Sequence, residues 1–158
     1  MKLESAIKNE LGDRWIPHIY DAQVRPMRTR SFEFPIPERE NQPEILHTLL
    51  GIELKIGRSR FSCPDLATAR YLSVFARIGC RKVAVPYDIS MLPVIADELE
   101  TCWHRMILIL EKDSKNTTVH GKSKVRSALL RMIREEISKS GAGDAMPLFD
   151  TSTKQREN

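Results

Sequence analysis

Glu53 and Lys55 are the residues of this sequence whose types and spacing best suit chemistry. They lie in an alternating run over residues 50–57, and such alternation predicts a β-strand. Because successive side chains of a strand point to opposite faces, an acid and an amine two positions apart share one face. A carboxylate there can hold a divalent cation, and the ammonium group can orient or stabilise an anion. The plainer interpretation is an ordinary half-exposed strand with a charged outer face, and the tripeptide alone favours it.

The opposite face of the same strand is aliphatic. We expect this face to be buried, and its members are Leu50, Ile52, Leu54 and Ile56. A strand of this kind lies at the edge of a hydrophobic core and leaves its charged side open to a ligand.

The composition is that of a globular protein. The 158 residues are 41% hydrophobic and 29% charged, which suits one domain with a hydrophobic core. A net charge of +4 mildly favours an anionic partner. The longest aliphatic run, residues 106–110, is too short to cross a membrane, and three cysteines without metal-ligand or disulfide spacing indicate reduced thiols. We therefore expect no membrane association and a cytoplasmic location.

Hydrophobic periodicity and turn signals give the elements that must position these residues. They predict an α+β fold in a single α/β domain over residues 1–139, followed by a disordered tail over residues 140–158. Residues 44–50 fit either a helical turn or the first half of a strand. The predicted order is a helix at 2–11, a weak strand at 15–24, strands at 28–36 and 50–57, a helix at 62–78, a strand at 83–85, and helices at 90–110 and 123–139.

This element order and the tripeptide Glu53-Leu54-Lys55 resemble the core of the PD-(D/E)xK nuclease superfamily. The resemblance covers residues 1–88 and implies a restriction-endonuclease-like core of a helix, three antiparallel strands, a crossover helix and a parallel strand. The expected result is a small mixed sheet of about four strands flanked by helices, with two extra C-terminal helices. The upstream acid of the superfamily is matched by Glu44, which follows Pro43, or by the better-spaced Glu33.

The resemblance implies metal-dependent hydrolysis of nucleic acid phosphodiester bonds. Mg²⁺ would be held by Glu53 together with Glu33 or Glu44, and it would polarise the phosphate and activate a water molecule. Lys55 would orient the attacking hydroxide or neutralise charge that develops on the phosphate. Glu53 and Lys55 are therefore the expected catalytic residues of a nuclease-like protein.

Four basic residues are candidate contacts to a nucleic-acid backbone. Arg58 and Arg60 follow the strand directly, and Lys124 and Arg126 belong to the basic helix at 123–139. Cations in such positions release counterions when they bind phosphates. Solvated surface charge is the competing interpretation.

Two function classes stay open from the sequence. The first is a metal-dependent nuclease, and the second is a non-catalytic α+β module that binds nucleic acid or a protein partner. The apolar cluster at residues 145–150 is a candidate docking segment for a protein partner. The same cluster is equally suited to fold back onto the domain and cover an apolar groove between the last two helices.

Overall fold

A computed structural model of the chain describes residues 2–145 and has the mixed α+β composition expected from the sequence. Among these residues, every helix is too short or too polar to span a lipid bilayer. The helices are α1 (Leu3–Leu11), α2 (Ile16–Ile19), α3 (Leu66–Ile78), α4 (Leu92–Asp113) and α5 (Val119–Ser140). The strands are β1 (Thr29–Glu33), β2 (Glu44–Thr48), β3 (Gly51–Ile56), β4 (Ser59–Cys63), β5 (Lys82–Pro86) and β6 (Asp144–Ala145).

The strands form two separate sheets, and not the one mixed sheet of about four strands that we expected. β2, β3 and β4 form an antiparallel meander, because two tight turns connect them. In the second sheet β1 is central, with β5 antiparallel on one side and β6 parallel on the other. α3 therefore leads from the meander to a different sheet. The apolar strand at 83–85 pairs with β1 and is not the expected parallel neighbour of the lysine-bearing strand.

The two sheets and the helices share one hydrophobic core. The rings of Phe32 in β1 and Phe61 in β4 lie 5.1 Å apart, which joins the second sheet to the meander. Leu54 and Ile56 of β3 are fully buried, as expected for the aliphatic face of that strand. α4 contributes the apolar stripe that its spacing predicts, namely Leu92, Ile95, Leu99, Cys102, Trp103, Met106 and Leu110.

Residues 16–24 are helical, so the weak strand that we predicted over residues 15–24 is wrong. α2 continues into a single turn of the wider π-helix at Tyr20–Val24. Pro17 lies in the first turn of α2, where a helix does not need the missing N–H. The buried residues Ile16, Ile19 and Tyr20 have helical spacing, and the proline outweighed that signal in the sequence prediction.

The undecided segment at 44–50 is a strand followed by a turn. β2 ends at Thr48, whose hydroxyl accepts a hydrogen bond from the backbone N–H of Leu50 at 3.1 Å and donates to the carbonyl of Gly51 at 3.1 Å. Leu50 is therefore a turn residue, and its side chain is 95% exposed. The expectation that Leu50 joins the buried face of the strand is wrong, because the strand begins one residue later.

Two tyrosine hydroxyls form hydrogen bonds with the backbone at the outer edge of β5. Ala84 pairs with Ser31 across the sheet, while its own N–H donates to the hydroxyl oxygen of Tyr20 at 2.8 Å. The hydroxyl of Tyr71 donates to the carbonyl oxygen of Ala84 at 2.6 Å. Both polar groups of this buried residue thus have partners without a further strand.

The same tyrosine fixes the segment after α5. The hydroxyl of Tyr20 donates to the carbonyl oxygen of Gly141 at 2.5 Å, and Nε of Arg25 donates to that of Ser140 at 3.0 Å. Ser140, which we predicted as the first tail residue, is the last residue of α5, and β6 follows soon after. Residues 146–158 lie outside the described part of the chain, so disorder there and docking through the 145–150 cluster stay predictions.

Replacing Tyr20 with Phe should lower the free energy of unfolding by about 1–3 kcal/mol, because the Ala84 N–H would lose its buried acceptor. Urea denaturation measures this loss. Tyr87→Phe is the control, since Tyr87 is 47% exposed and its variant should stay within about 0.5 kcal/mol of the parent protein. Equal destabilisation by the two substitutions would contradict the role given to Tyr20.

Tyr20→Phe should also change how the stability depends on pH. Burial raises the pKa of Tyr20 from 10.0 to about 12, so the folded state keeps a proton that the unfolded chain releases. This contribution to stability is complete below the unfolded pKa of about 10 and is lost as the pH rises through the folded pKa. Tyr20→Phe should therefore flatten the decline of stability above pH 10, and an unchanged decline would contradict this assignment.

Candidate functional site

Glu53 and Lys55 share the solvent-facing side of β3, as the alternation predicts. Across the meander, Lys55 lies between Glu44 of β2 and Arg60 of β4, because all three occupy one row of the ladder. Glu53 lies in the next row, opposite Ser62 of β4. Two acids and two bases therefore share this face, which we call the meander face.

Glu53 is already engaged by an arginine. Nε of Arg60 lies 2.8 Å and Nη2 lies 2.6 Å from Oε1 of Glu53, whose side chain is only 20% exposed. A cation bound at this oxygen would have to displace the guanidinium group. Arg60, which we expected to contact phosphates, thus pairs with Glu53. Arg58, the other arginine expected to do so, is exposed in the turn after β3.

The two candidates for the upstream acid occupy different places. Glu44 is on the meander face, diagonal to Glu53, and diagonal Cα atoms in such a ladder lie about 7–8 Å apart. Glu33 belongs to the other sheet and alternates with Phe32, whose ring faces the meander. The carboxylate of Glu33 therefore points away from the sheet that carries Glu53.

Carboxylate oxygens are suitable ligands for Mg²⁺, which is commonly held by one or two carboxylates together with water or phosphate oxygens. Glu44 and Glu53 supply that donor type on a single face. In the described part of the chain no three His, Cys, Asp or Glu residues are grouped so that they could hold a metal ion. The structure thus brings together two of the three predicted metal ligands and separates Glu33 from them.

Arg126 joins α5 to the loop after β1. Its Nε donates to Oε1 of Glu40 at 2.8 Å, and its Nη2 is paired with the other carboxylate oxygen. Its guanidinium carbon lies 5.8 Å from the centre of the Trp103 ring. The hydrogen bond to Glu40 raises the pKa of Arg126 above its ordinary value. Of the two predicted helix contacts, Lys124 is the exposed one.

A basic groove of about 900 Å³ lies between the start of β5 and the C-terminal half of α5. Its charged lining consists of more cations than acids. The cations are Arg81, Lys82, Arg131, Arg134 and Lys139, and the acids are Glu38 and Glu135. Sequence reasoning missed Arg81 and Lys82, although two adjacent basic residues directly before a buried strand were a usable signal.

Residues that line the basic groove lie next to both ends of β1. At one end Lys82 is paired with Glu33, the last residue of that strand. At the other end Gly143, which also lines the groove, lies against Thr29, since a Cβ atom built on Gly143 would be 2.4 Å from Oγ1 of Thr29. Five strand residues separate these ends by about 13 Å at about 3.3 Å per residue.

Helix periodicity extends the positive surface beyond the basic groove. Lys124 precedes Arg131 by seven residues, so the two side chains lie on one face of α5 about 10 Å apart along its axis. Lys124 is thus the one predicted nucleic-acid contact that the structure places in line with the groove.

Arg134 of the basic groove is fixed by a hydrogen bond to the backbone. Its Nη1 donates at 2.7 Å to the carbonyl of Ile78, the last residue of α3, where the helix dipole favours positive charge. Burial lowers the pKa of Arg134, although an arginine remains charged at any physiological pH. A partly desolvated cation interacts more strongly with an anion than a fully hydrated one does.

The α3–β5 turn that carries Arg81 depends on a glycine. Gly79 ends α3 with φ of +91°, and a Cβ atom there would lie 2.2 Å from the backbone oxygen of Arg39. The turn therefore requires glycine both for its conformation and for its contact with the loop after β1.

No protein family model, curated protein or solved structure matches this chain. The assignment of function therefore rests on the residues and on their geometry.

The ion pair between Arg126 and Glu40 should contribute about 0.5–1.5 kcal/mol to folding, because it is bidentate and only about a third of each side chain is exposed. A double-mutant cycle with Arg126→Ala and Glu40→Ala measures this coupling by chemical denaturation. Lys112→Ala and Glu10→Ala form the matched control for a more exposed pair, with a smaller expected coupling. Additive effects at Arg126 and Glu40 would contradict the structural role.

Proposed function

We propose that this chain is a non-catalytic α+β module that binds nucleic acid through the basic groove. The observation that carries the proposal is the lining of the groove, in which five cationic side chains face two carboxylates. Phosphate groups are the anions of a nucleic-acid backbone, and most contacts to such a backbone come from lysine, arginine and backbone N–H groups.

The distribution of the cations favours a polymer over a small anion. A single phosphate is best held by donors that converge on one point, whereas these cations come from the start of β5 and from α5, where Arg131 and Lys139 lie about 12 Å apart along the helix axis. Lys124 adds a further cation in line with them. A chain of regularly spaced phosphates is the ligand that matches an extended row of positive charges.

Ion pairs elsewhere on the surface support the basic groove as the binding site. Lys8 is paired with Glu136 at 2.8 Å, and Lys112 is paired with Glu10 at 3.1 Å. In the groove, Arg81 and Glu38 are 3.3 Å apart, but both side chains are more than half exposed, so this pair is weak and easily exchanged for a phosphate. Arg81 of the groove is thus held less firmly by its carboxylate than Lys8 is by Glu136.

The cysteines support a cytoplasmic setting for this function. Cys63, Cys80 and Cys102 are free and buried, which is the usual state of thiols in a reducing compartment. Cys80 lies at the floor of the basic groove, and burial raises the pKa of its thiol to about 12. It therefore acts there as a small apolar residue and not as a nucleophile.

The double substitution Arg131→Gln with Lys139→Gln should weaken binding to a labelled single-stranded 20-nucleotide DNA and reduce its salt dependence. Removing two phosphate contacts lowers the slope of log K against log salt by about 1.4 for a single strand. Fluorescence anisotropy between 50 and 200 mM KCl measures both effects.

Arg105→Gln with Lys115→Gln is the control, because it removes the same charge from exposed positions away from the groove. This control variant should leave the affinity and its salt dependence nearly unchanged. Equal losses in the two double variants would show that overall charge binds the oligonucleotide without the groove, and this would overturn the proposal.

Metal-dependent phosphodiester hydrolysis is the second candidate, and one observation favours it. Glu44, Glu53 and Lys55 lie together on the meander face, where the two carboxylates would hold Mg²⁺ and the ammonium group would stabilise an anion. Mg²⁺ bound there would polarise a phosphate and activate water. This candidate requires a restriction-endonuclease-like core, although β5 pairs with β1 and supplies no parallel strand beside β3.

The second candidate predicts Mg²⁺-dependent cleavage of plasmid or single-stranded DNA that EDTA abolishes. Lys55→Ala and Glu53→Gln should each remove this activity and leave the fold intact, because both side chains lie outside the core. Lys115→Ala is the matched control and should cleave normally. Absence of cleavage in the parent protein, or unchanged cleavage in either variant, would reject the nuclease function and leave binding at the groove unaffected.

A further inference from the structure

The outer edge of β2 is an open side of the three-stranded meander. In the described part of the chain β2 pairs with β3 alone, and β4 occupies the opposite edge. The two-residue turn at 49–50 makes Thr48 and Gly51 the hydrogen-bonded pair that closes the hairpin. Because hydrogen-bonded and non-hydrogen-bonded pairs alternate along an antiparallel ladder, Ile45 and His47 direct their N–H and carbonyl groups outward.

These four outward groups have no hydrogen-bond partner among the residues that the structure describes. An unpaired strand edge is a template for a further strand, and proteins commonly protect such an edge with lysine, proline or a bulge. β2 contains none of these three, since its sequence is Glu-Ile-Leu-His-Thr and each residue pairs with one residue of β3. The edge is therefore suited to pairing with another strand.

Exposed leucines lie beside the same edge. Leu49 and Leu50 in the turn are 105% and 95% exposed, and Leu46 in the middle of β2 is partly exposed. The other edge of the meander differs, because β4 carries the charged Arg60, and its Phe61 already packs against β1. A partner strand at β2 would cover apolar side chains, whereas one at β4 would lie beside a guanidinium group.

The spacing of the outward groups favours a second copy of this chain as the partner. When two copies of β2 run antiparallel about a twofold axis through Leu46, Ile45 of each copy lies opposite His47 of the other. Each of these two pairs exchanges two hydrogen bonds, so all the outward groups of both strands are satisfied. Moving the axis by one residue would set His47 opposite Pro43, which has no N–H, or Ile45 opposite Leu49 of the turn.

The side chains agree with this register. Leu46 meets its own copy across the axis as a non-hydrogen-bonded pair, in which the two chains approach most closely. Leu49 falls opposite Pro43, so an exposed leucine gains an apolar neighbour. Glu44 falls opposite Thr48, and no like charges face each other across the new ladder.

We propose that the chain forms a twofold dimer in which the β2 edges of two copies pair antiparallel about Leu46. The two meanders then form one sheet of six strands. This pairing is independent of the basic groove, which β5 and α5 line. Because four backbone hydrogen bonds and a few leucine contacts make a small interface, the dimer is weak and assembles at micromolar concentrations.

Sedimentation equilibrium of the full chain from about 1 µM to about 500 µM tests the dimer, since this range brackets a weak interface. The parent protein should change from monomer to dimer. His47→Pro should weaken the dimer by more than about ten-fold, because it removes an outward N–H and leaves the hydrogen bonds to β3 intact. Ser62→Pro is the matched control, since the N–H of Ser62 points outward from β4, and this variant should dimerise like the parent.

Two results of this measurement would overturn the proposal. A parent protein that is monomeric at every concentration would show that the edge does not pair with a second copy. Loss of the dimer in Ser62→Pro but not in His47→Pro would place the interface at β4.

Exchange of charge at the axis distinguishes lost pairing from misfolding. Leu46→Lys and Leu46→Glu should each be monomeric, because two like charges would meet across the axis. An equimolar mixture of the two variants should form a heterodimer, because lysine then faces glutamate. A mixture that stays monomeric while the parent protein dimerises would contradict an axis at Leu46.

Cysteine crosslinking tests the register. Leu46→Cys should form an intermolecular disulfide when diamide oxidises the two thiols, because Cα atoms of a non-hydrogen-bonded pair lie about 4.5 Å apart. Glu44→Cys is the control, since its two copies would lie about 13 Å apart at about 3.3 Å per residue, which is beyond the reach of a disulfide. The native cysteines are buried and should not interfere. Equal crosslinking of the two variants would overturn the register.

Discussion

The packing of the helices against the second sheet depends on the buried N–H and carbonyl groups of Ala84. Ala84 lies in an edge strand inside the core, where an unpaired N–H or carbonyl is costly. Tyr20 and Tyr71 satisfy these groups from two different helical segments, so a single strand residue joins the N-terminal helices, α3 and the second sheet. Burial raises the pKa of both hydroxyls, which keeps them protonated and able to donate.

The tyrosine contacts also explain why a groove exists beside β5. With its outer edge closed by side chains, β5 needs no further strand, and α5 can pass beside its first residues. Because the hydroxyl of Tyr20 also holds the carbonyl of Gly141, the end of α5 is fixed relative to the sheet. The cations of α5 are thereby held opposite those that precede and begin β5.

Sequence patterns predicted the elements better than their pairing. Alternation placed Leu54 in the core and Glu53 outside it, and helical spacing identified the buried stripe of α4, because these patterns depend on neighbouring residues alone. The pairing of β5 with β1 depends on long-range contacts such as those of Tyr20, which no local pattern encodes. The same limit applies to the site, since Lys82 and Arg131 are far apart in sequence and meet only through the fold.

An NMR titration of the ¹⁵N-labelled chain with a single-stranded oligonucleotide would locate the bound strand, because each backbone amide reports its own surroundings. Binding in the basic groove predicts shifts at Arg81 and Lys82 and across residues 131–143, with the amides of the meander face unchanged. Shifts confined to Glu53, Lys55 and their neighbours on the meander face would contradict it, as would a spectrum that the oligonucleotide does not alter.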